Sequence, residues 1–155
     1  KATVIQQLHN AMDHISAWCL PVKDSVDVLG EAMKSKIANA KMEALKWFIR
    51  AAGNARVDDV VPGVKGLATV MMGTLNDASP EVRDLACHGL AVLELKVGER
   101  RMKPYLSQLD KIKTNKVAEF LTQEKEKKAA KPAAATAPAA AASVLVDLIC
   151  AALFL

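Results

Sequence analysis

Apolar residues recur at helical spacing along residues 1–127. Val4, Leu8, Ala11, Met12 and Ile15 fall at i, i+4, i+7, i+8 and i+11. That is one stripe along a helix predicted over 4–20 and ended by Pro21. A second helix is predicted over 22–34, carrying Val26, Leu29 and Met33. A third spans 38–52, with Ala40, Ala44, Trp47, Phe48 and Ala51 on one side. Gly53 and Asn54 close it, as a glycine just past a helix end would. The next helix is predicted over 58–75, with Pro62 in its early turns. Asn76-Asp77-Ala78-Ser79-Pro80 is the clearest turn in the chain. Ser79 suits an N-cap, Pro80 the first helical position, and Glu81 puts a carboxylate in the first turn. That helix runs to about Val97, with Gly98 after it. Two further helices are predicted near 101–108 and 110–127.

Beyond 127 the pattern changes. Residues 128–142 are mostly alanine with Pro132 and Pro138, a linker with no apolar face to pack. Residues 143–155 are almost wholly apolar and helix-forming, but Asp147 interrupts them. They fall short of the ~20 residues that span a bilayer, so no transmembrane span is expected.

Sliding the chain along itself reveals a repeat. Val82-Arg83-Asp84-Leu85-Ala86, followed by Gly89, Leu90 and Leu93, lands 42 residues back on Ala40-Lys41-Met42-Glu43-Ala44, followed by Trp47, Phe48 and Ala51. Another 36 residues back lie Val4, Leu8, Ala11, Met12 and Ile15 at matching places. A period of about 40 with two helices per unit belongs to HEAT and armadillo arrays. With 4% aromatic residues, 7 Gly and 6 Pro, the chain has few strand formers and turn residues. The predicted fold is therefore an all-α solenoid of paired antiparallel helices with terminal capping helices. The repeats occupy 1–127.

The stretch LNDASPEVRDLA (75–86) is similar to the HEAT signature of an Asp, then Val-Arg, then a spaced Ala. Together with GLAVLELKVGER and MKPYLSQLDKIKTNKV it resembles the last repeat and terminal helices of a TOG domain, found in microtubule polymerases and related regulators. VIQQLHNAMDHI and SKIANAKMEALKWFIRAAG look like the fourth and fifth repeats, so the likeness covers about 1–126. A full domain of this family has six repeats. The chain holds one second helix, two complete repeats and a cap. It lacks the family's first-turn Trp, and Trp18 and Trp47 lie inside helices as core candidates. The chain also starts at Lys1 without a Met, which marks it as an expected piece of something longer.

The resemblance implies a tubulin-binding module that regulates microtubule growth and spindle organisation. Its partner would be αβ-tubulin or microtubules, at microtubules, the centrosome or the spindle pole. Binding would run through the turns joining the two helices of each repeat, here 1–3, 35–41 and 76–83. Lys41 matches a basic position of the family's fifth turn. It also opens a helix, where a cation opposes the macrodipole, so another reason for it is expected. Lys36 and Asn39 are its neighbours, and Lys1 matches a basic residue of the fourth turn. Arg83 is assigned with Asp77 to the HEAT ladder between repeats, with tubulin contact as its second assignment. A generic HEAT scaffold for some other protein is the alternative.

Charge and cysteines add little. Residues 96–131 carry 11 Lys/Arg against 5 Asp/Glu, leaving 10 against 12 elsewhere. This basic segment, with Lys103, Lys111, Lys113 and Lys116, reads first as a solvated face and second as a surface for an acidic partner. It lacks interleaved aromatics, so nucleic acid is not expected. Cys19, Cys87 and Cys150 sit singly in apolar stretches and no signal peptide is visible. Buried thiols in the reducing cytoplasm are expected. There is no Ser/His/Asp arrangement, phosphate loop or HExxH, and His9 and His14 are five apart. No enzyme activity, metal or cofactor is expected. Self-association is expected, through the N-terminal apolar face that a preceding repeat would cover, or through 143–155.

Overall fold

The computed structural model describes residues 2–18 and 20–130, and side chains within 4–16 and 20–129. The α-helices are α1 Ala2–Trp18, α2 Val26–Lys34, α3 Ala38–Asn54, α4 Val57–Val60, α5 Val64–Thr74, α6 Pro80–Val97, α7 Glu99–Leu106 and α8 Lys111–Ala130. Short 3-10 turns, Val22–Ser25 and Val61–Gly63, precede α2 and α5. Helices α1, α3, α6 and α8 pack side by side in one row, and α2, α5 and α7 form a second row against them. This is the two-row solenoid that the repeat predicts.

The core runs along the seam between the rows. Phe48, Leu45, Leu67, Met71, Leu90, Leu93 and Met102 are fully buried there. Trp47 is buried too, and its Nε1 donates to the Met12 carbonyl of the neighbouring helix at 3.4 Å. Such side chains contribute about 1.5–3 kcal/mol each on burial, so the stripes that define the helices also join the repeats.

Three boundaries differ from expectation. Helix 58–75 is broken in two. Pro62 lacks an N–H and its ring opposes a continuous α-helix, so the chain tightens into the 3-10 turn. The break brings Gly63 against Lys23, where an added Cβ would stand 2.8 Å from Lys23 Cα. Gly53 lies inside α3 rather than beyond it. The helix runs to Asn54, and the carbonyl of its C-cap Ala55 accepts from Lys96 Nζ of the next repeat at 2.8 Å. The glycine that does need its freedom is Gly98, with φ of 87° between α6 and α7. Finally, α8 continues to Ala130, because alanines propagate a helix until Pro132 approaches. The remainder of the 128–142 segment, the 143–155 segment, Lys1, Cys19 and Cys150 lie outside the described residues.

Candidate functional site: an edge of helix-joining turns

Helices α3, α6 and α8 each begin just after a short turn from the second-row helix before them. Side chains tie these turns to one another in chain order. Lys41, in the first turn of α3, places Nζ 2.5 Å from Asp77 Oδ2 in the following turn. Asn76 of that turn accepts from Lys113 Nζ, near the start of α8, at 2.9 Å. The three turns at 35–37, 75–79 and 107–110 therefore form one edge.

The middle turn is built around Asp77. The Lys41 bond comes first, then the Ser79 amide donating to Oδ1 at 3.0 Å, and together they hold the Asp77 carboxyl below the usual carboxylate range. Ser79 is extended at the N-cap but makes no side-chain cap hydrogen bond. Its amide is the group engaged, in an Asx-type turn. Arg83 turns back into its own turn, where Nη1 donates to the carbonyls of Asp77 at 2.7 Å and Ala78 at 3.2 Å.

The structure thus brings Lys41, Asp77 and Arg83 together. The rung between repeats is Lys41–Asp77, while Arg83 braces the turn from within. Lys36 and Asn39 stand exposed on the same edge. Lys1 lies outside the described residues. Two exposed residues escaped the sequence reading: Ile37, 64% exposed, and Ile112, 75% exposed. Ile37 caps α3 and Ile112 is second in α8. Their signal was available, since each is a large aliphatic residue outside its helix's buried stripe.

The basic terminal segment also has a more specific placement than a solvated face. Besides Lys113, Lys116 bonds Asp84 of α6, which raises the pKa of the Lys116 ammonium. Further along the row, His88 Nε2 lies 3.0 Å from Glu124 Oε1 and its ring stacks on Phe120. His9 meets Glu43 at 2.8 Å across the first seam.

The edge offers cations, amides and aliphatic surface, a set suited to binding. Among the described residues no group of three or more His, Cys, Asp or Glu could hold a metal ion, and no helix is long and apolar enough to cross a membrane. Cys87 is a buried free thiol, and burial pushes its pKa up.

No family model matches the chain. A centrosomal protein of Dictyostelium discoideum is 34% identical over 118 residues, 76% of this chain and 6% of that protein. The spindle pole body component alp14 of Schizosaccharomyces pombe is 32% identical over 120 residues, 77% of this chain and 15% of that protein. Mini spindles of Drosophila melanogaster is 29% identical over 143 residues, 91% of this chain and 7% of that protein. The chain thus spans a small part of the length of its curated relatives. A solved structure described as the basis of microtubule plus end tracking by XMAP215, CLIP-170 and EB1 superposes with a TM-score of 0.73 and 26% identity. The match covers 80% of this chain and 52% of that one.

Proposed function

The chain belongs to the TOG-domain family as part of one such domain, and from that premise we propose that it is a tubulin-binding module of a protein regulating microtubule growth and spindle organisation. The observation that carries this reading is the edge itself. Three turns are fixed in register by Lys41–Asp77 and Asn76–Lys113, and the edge carries exposed Lys36, Asn39, Ile37 and Ile112. A preorganised row of cations and aliphatic groups meets an acidic protein surface without refolding. Exposed Lys36 and Asn39 would contact the partner first, with Lys41, held in its rung to Asp77, behind them and Arg83 setting the shape of the middle turn. The names of the relatives support a site of action at the centrosome, spindle pole or spindle. The module performs no chemistry of its own.

The test is a titration of the isotope-labelled chain with αβ-tubulin, followed by NMR, which detects weak binding. Signals of 36–41 and 76–83 should broaden first. Uniform loss of signal, or broadening confined to the opposite ends of α3 and α6, would favour a generic HEAT scaffold.

Assembly follows from α1. Val4, Ile5, Leu8 and Ile15 stand 72%, 53%, 60% and 45% exposed on it, an apolar row with no covering helix among the described residues. We read this face, or segment 143–155, as a place for a second copy of the chain, to be tested by light scattering.

A further inference from the structure

The middle turn carries a feature that tubulin contact does not use. Ser79-Pro80 is the sole Ser-Pro or Thr-Pro pair in the chain. Ser79 has an extended backbone, φ −79° and ψ 125°, and its hydroxyl makes no cap bond. Asn76, Ala78, Pro80 and Glu81 around it are exposed. A serine followed by proline, extended and half-buried in a turn of exposed residues, has the local form that a proline-directed protein kinase accepts.

We propose that Ser79 is a phosphorylation site that switches the edge. The γ-phosphoryl group of ATP passes to Ser79 Oγ, the hydroxyl proton leaves to the kinase's base, and ADP departs. The product brings about −1.5 to −2 charges at pH 7. The turn is close to electrical balance without it. Lys41 pairs with Asp77 and Lys116 with Asp84, while Arg83 bonds the turn's carbonyls, Lys113 bonds the Asn76 amide oxygen, and Glu81 stands exposed in the first turn of α6. The new phosphate would compete with Asp77 for Lys41 and draw on Arg83, one helical turn ahead. It also sits at the N-terminus of an 18-residue helix, which favours the anion, so the fold is kept. The edge, however, loses its excess of positive charge. This second half rests on the tubulin-binding reading, because that positive charge is what an acidic partner would meet.

The experiment treats the full chain with a proline-directed kinase and ATP and maps phosphate by mass spectrometry. One phosphate at Ser79 is expected, none in Ser79→Ala, and none in Pro80→Ala, which keeps the serine. Both variants should retain the wild-type helical spectrum, since neither removes a side-chain cap bond. An unmodified chain, when a peptide of residues 72–86 is labelled under the same conditions, overturns the proposal by showing that the folded turn excludes the kinase. Failure to label either one overturns the motif itself, and label persisting in Ser79→Ala assigns it elsewhere. The αβ-tubulin titration is then repeated on both forms. Binding weakened about tenfold or more on phosphorylation is expected. Equal binding by the two forms overturns the switch. No binding by the unmodified form overturns the tubulin reading instead, while the phosphate map still decides the site.

Discussion

Helices α1 and α8 are the two ends of the same row, and they finish in opposite ways. Outward from α8 stand Lys111, Asn115, Glu119, Thr122 and Glu126, with Ile112 as the exception. Outward from α1 stand Val4, Ile5, Leu8, Met12 and Ile15. A helix covered on one side needs one apolar stripe, and α8 has one, around Val117, Phe120 and Leu121. A helix covered on both sides needs more, and α1 is built that way. In a solenoid the polar end is a cap and the apolar end is a joint. The position of α1 thus has the chemistry of an internal repeat, in line with a chain that covers 52% of the solved structure it resembles.

The comparison predicts very different costs for truncating aliphatic or aromatic groups along the row. Phe48→Ala empties a fully buried site on the central seam and should cost about 3–5 kcal/mol in urea denaturation. Leu8→Ala, at 60% exposure, should cost about 0.5 kcal/mol or less in the dilute chain. A cost for Leu8→Ala approaching that of Phe48→Ala would mean that α1 is covered, and the joint would not exist in solution.

Placing charge on the same face addresses assembly. Leu8→Glu with Ile15→Glu should lower the mass by light scattering to that of a single chain, while Ile112→Glu on α8 should leave it unchanged. If deleting 143–155 alone gives the single-chain mass, the tail is the contact and α1 is not. For partner binding the order should follow position along the edge. Lys41→Ala should weaken tubulin binding several-fold, and Glu119→Ala on the outer face of α8 should have no effect. A full-strength Lys41→Ala would remove Lys41 from the site.

Much of this was readable from residue spacing. Every long helix and the Asn76–Pro80 turn followed from apolar stripes and turn chemistry, because those signals are local. The rungs were not seen, because each joins residues one repeat apart: Lys41 to Asp77 and His88 to Glu124 at 36, Asn76 to Lys113 at 37. Each pair joins polar positions about one repeat period apart, so the period carries the signal that local spacing lacks. The Pro62 break needed tertiary knowledge, since the close approach of Gly63 to Lys23 is not a local property. Gly53 was misplaced because packing of Ala51 and Ala52 carries the helix past it.

The smallest expected effect is the one that should least distinguish the two ends. Each end seam holds a carboxylate bonded to a histidine and a lysine: Glu43 with His9 and Lys46, Glu124 with His88 and Lys127. At Glu43 the Lys46 bond leads and lowers the pKa. At Glu124 burial pushes upward, but the bonds from Lys127 and His88 outweigh it and the pKa again falls. A carboxylate whose folded pKa lies below its unfolded value, about 4.3 for Glu, contributes stability above that value. The contribution is lost as pH falls through the lower folded pKa. Glu43→Gln and Glu124→Gln should therefore each flatten the acid limb of the stability curve, with little change of shape above pH 5 or so. Glu124 is 20% exposed and Glu43 46%, so solvent and salt screen the first seam more. The loss at neutral pH should be about 1 kcal/mol for Glu124→Gln and about half that or less for Glu43→Gln. Added salt should erase the second and spare most of the first. Equal, salt-sensitive losses at both ends would show that the last seam is as open to water as the first, and would leave only apolar surface to tell the cap from the joint.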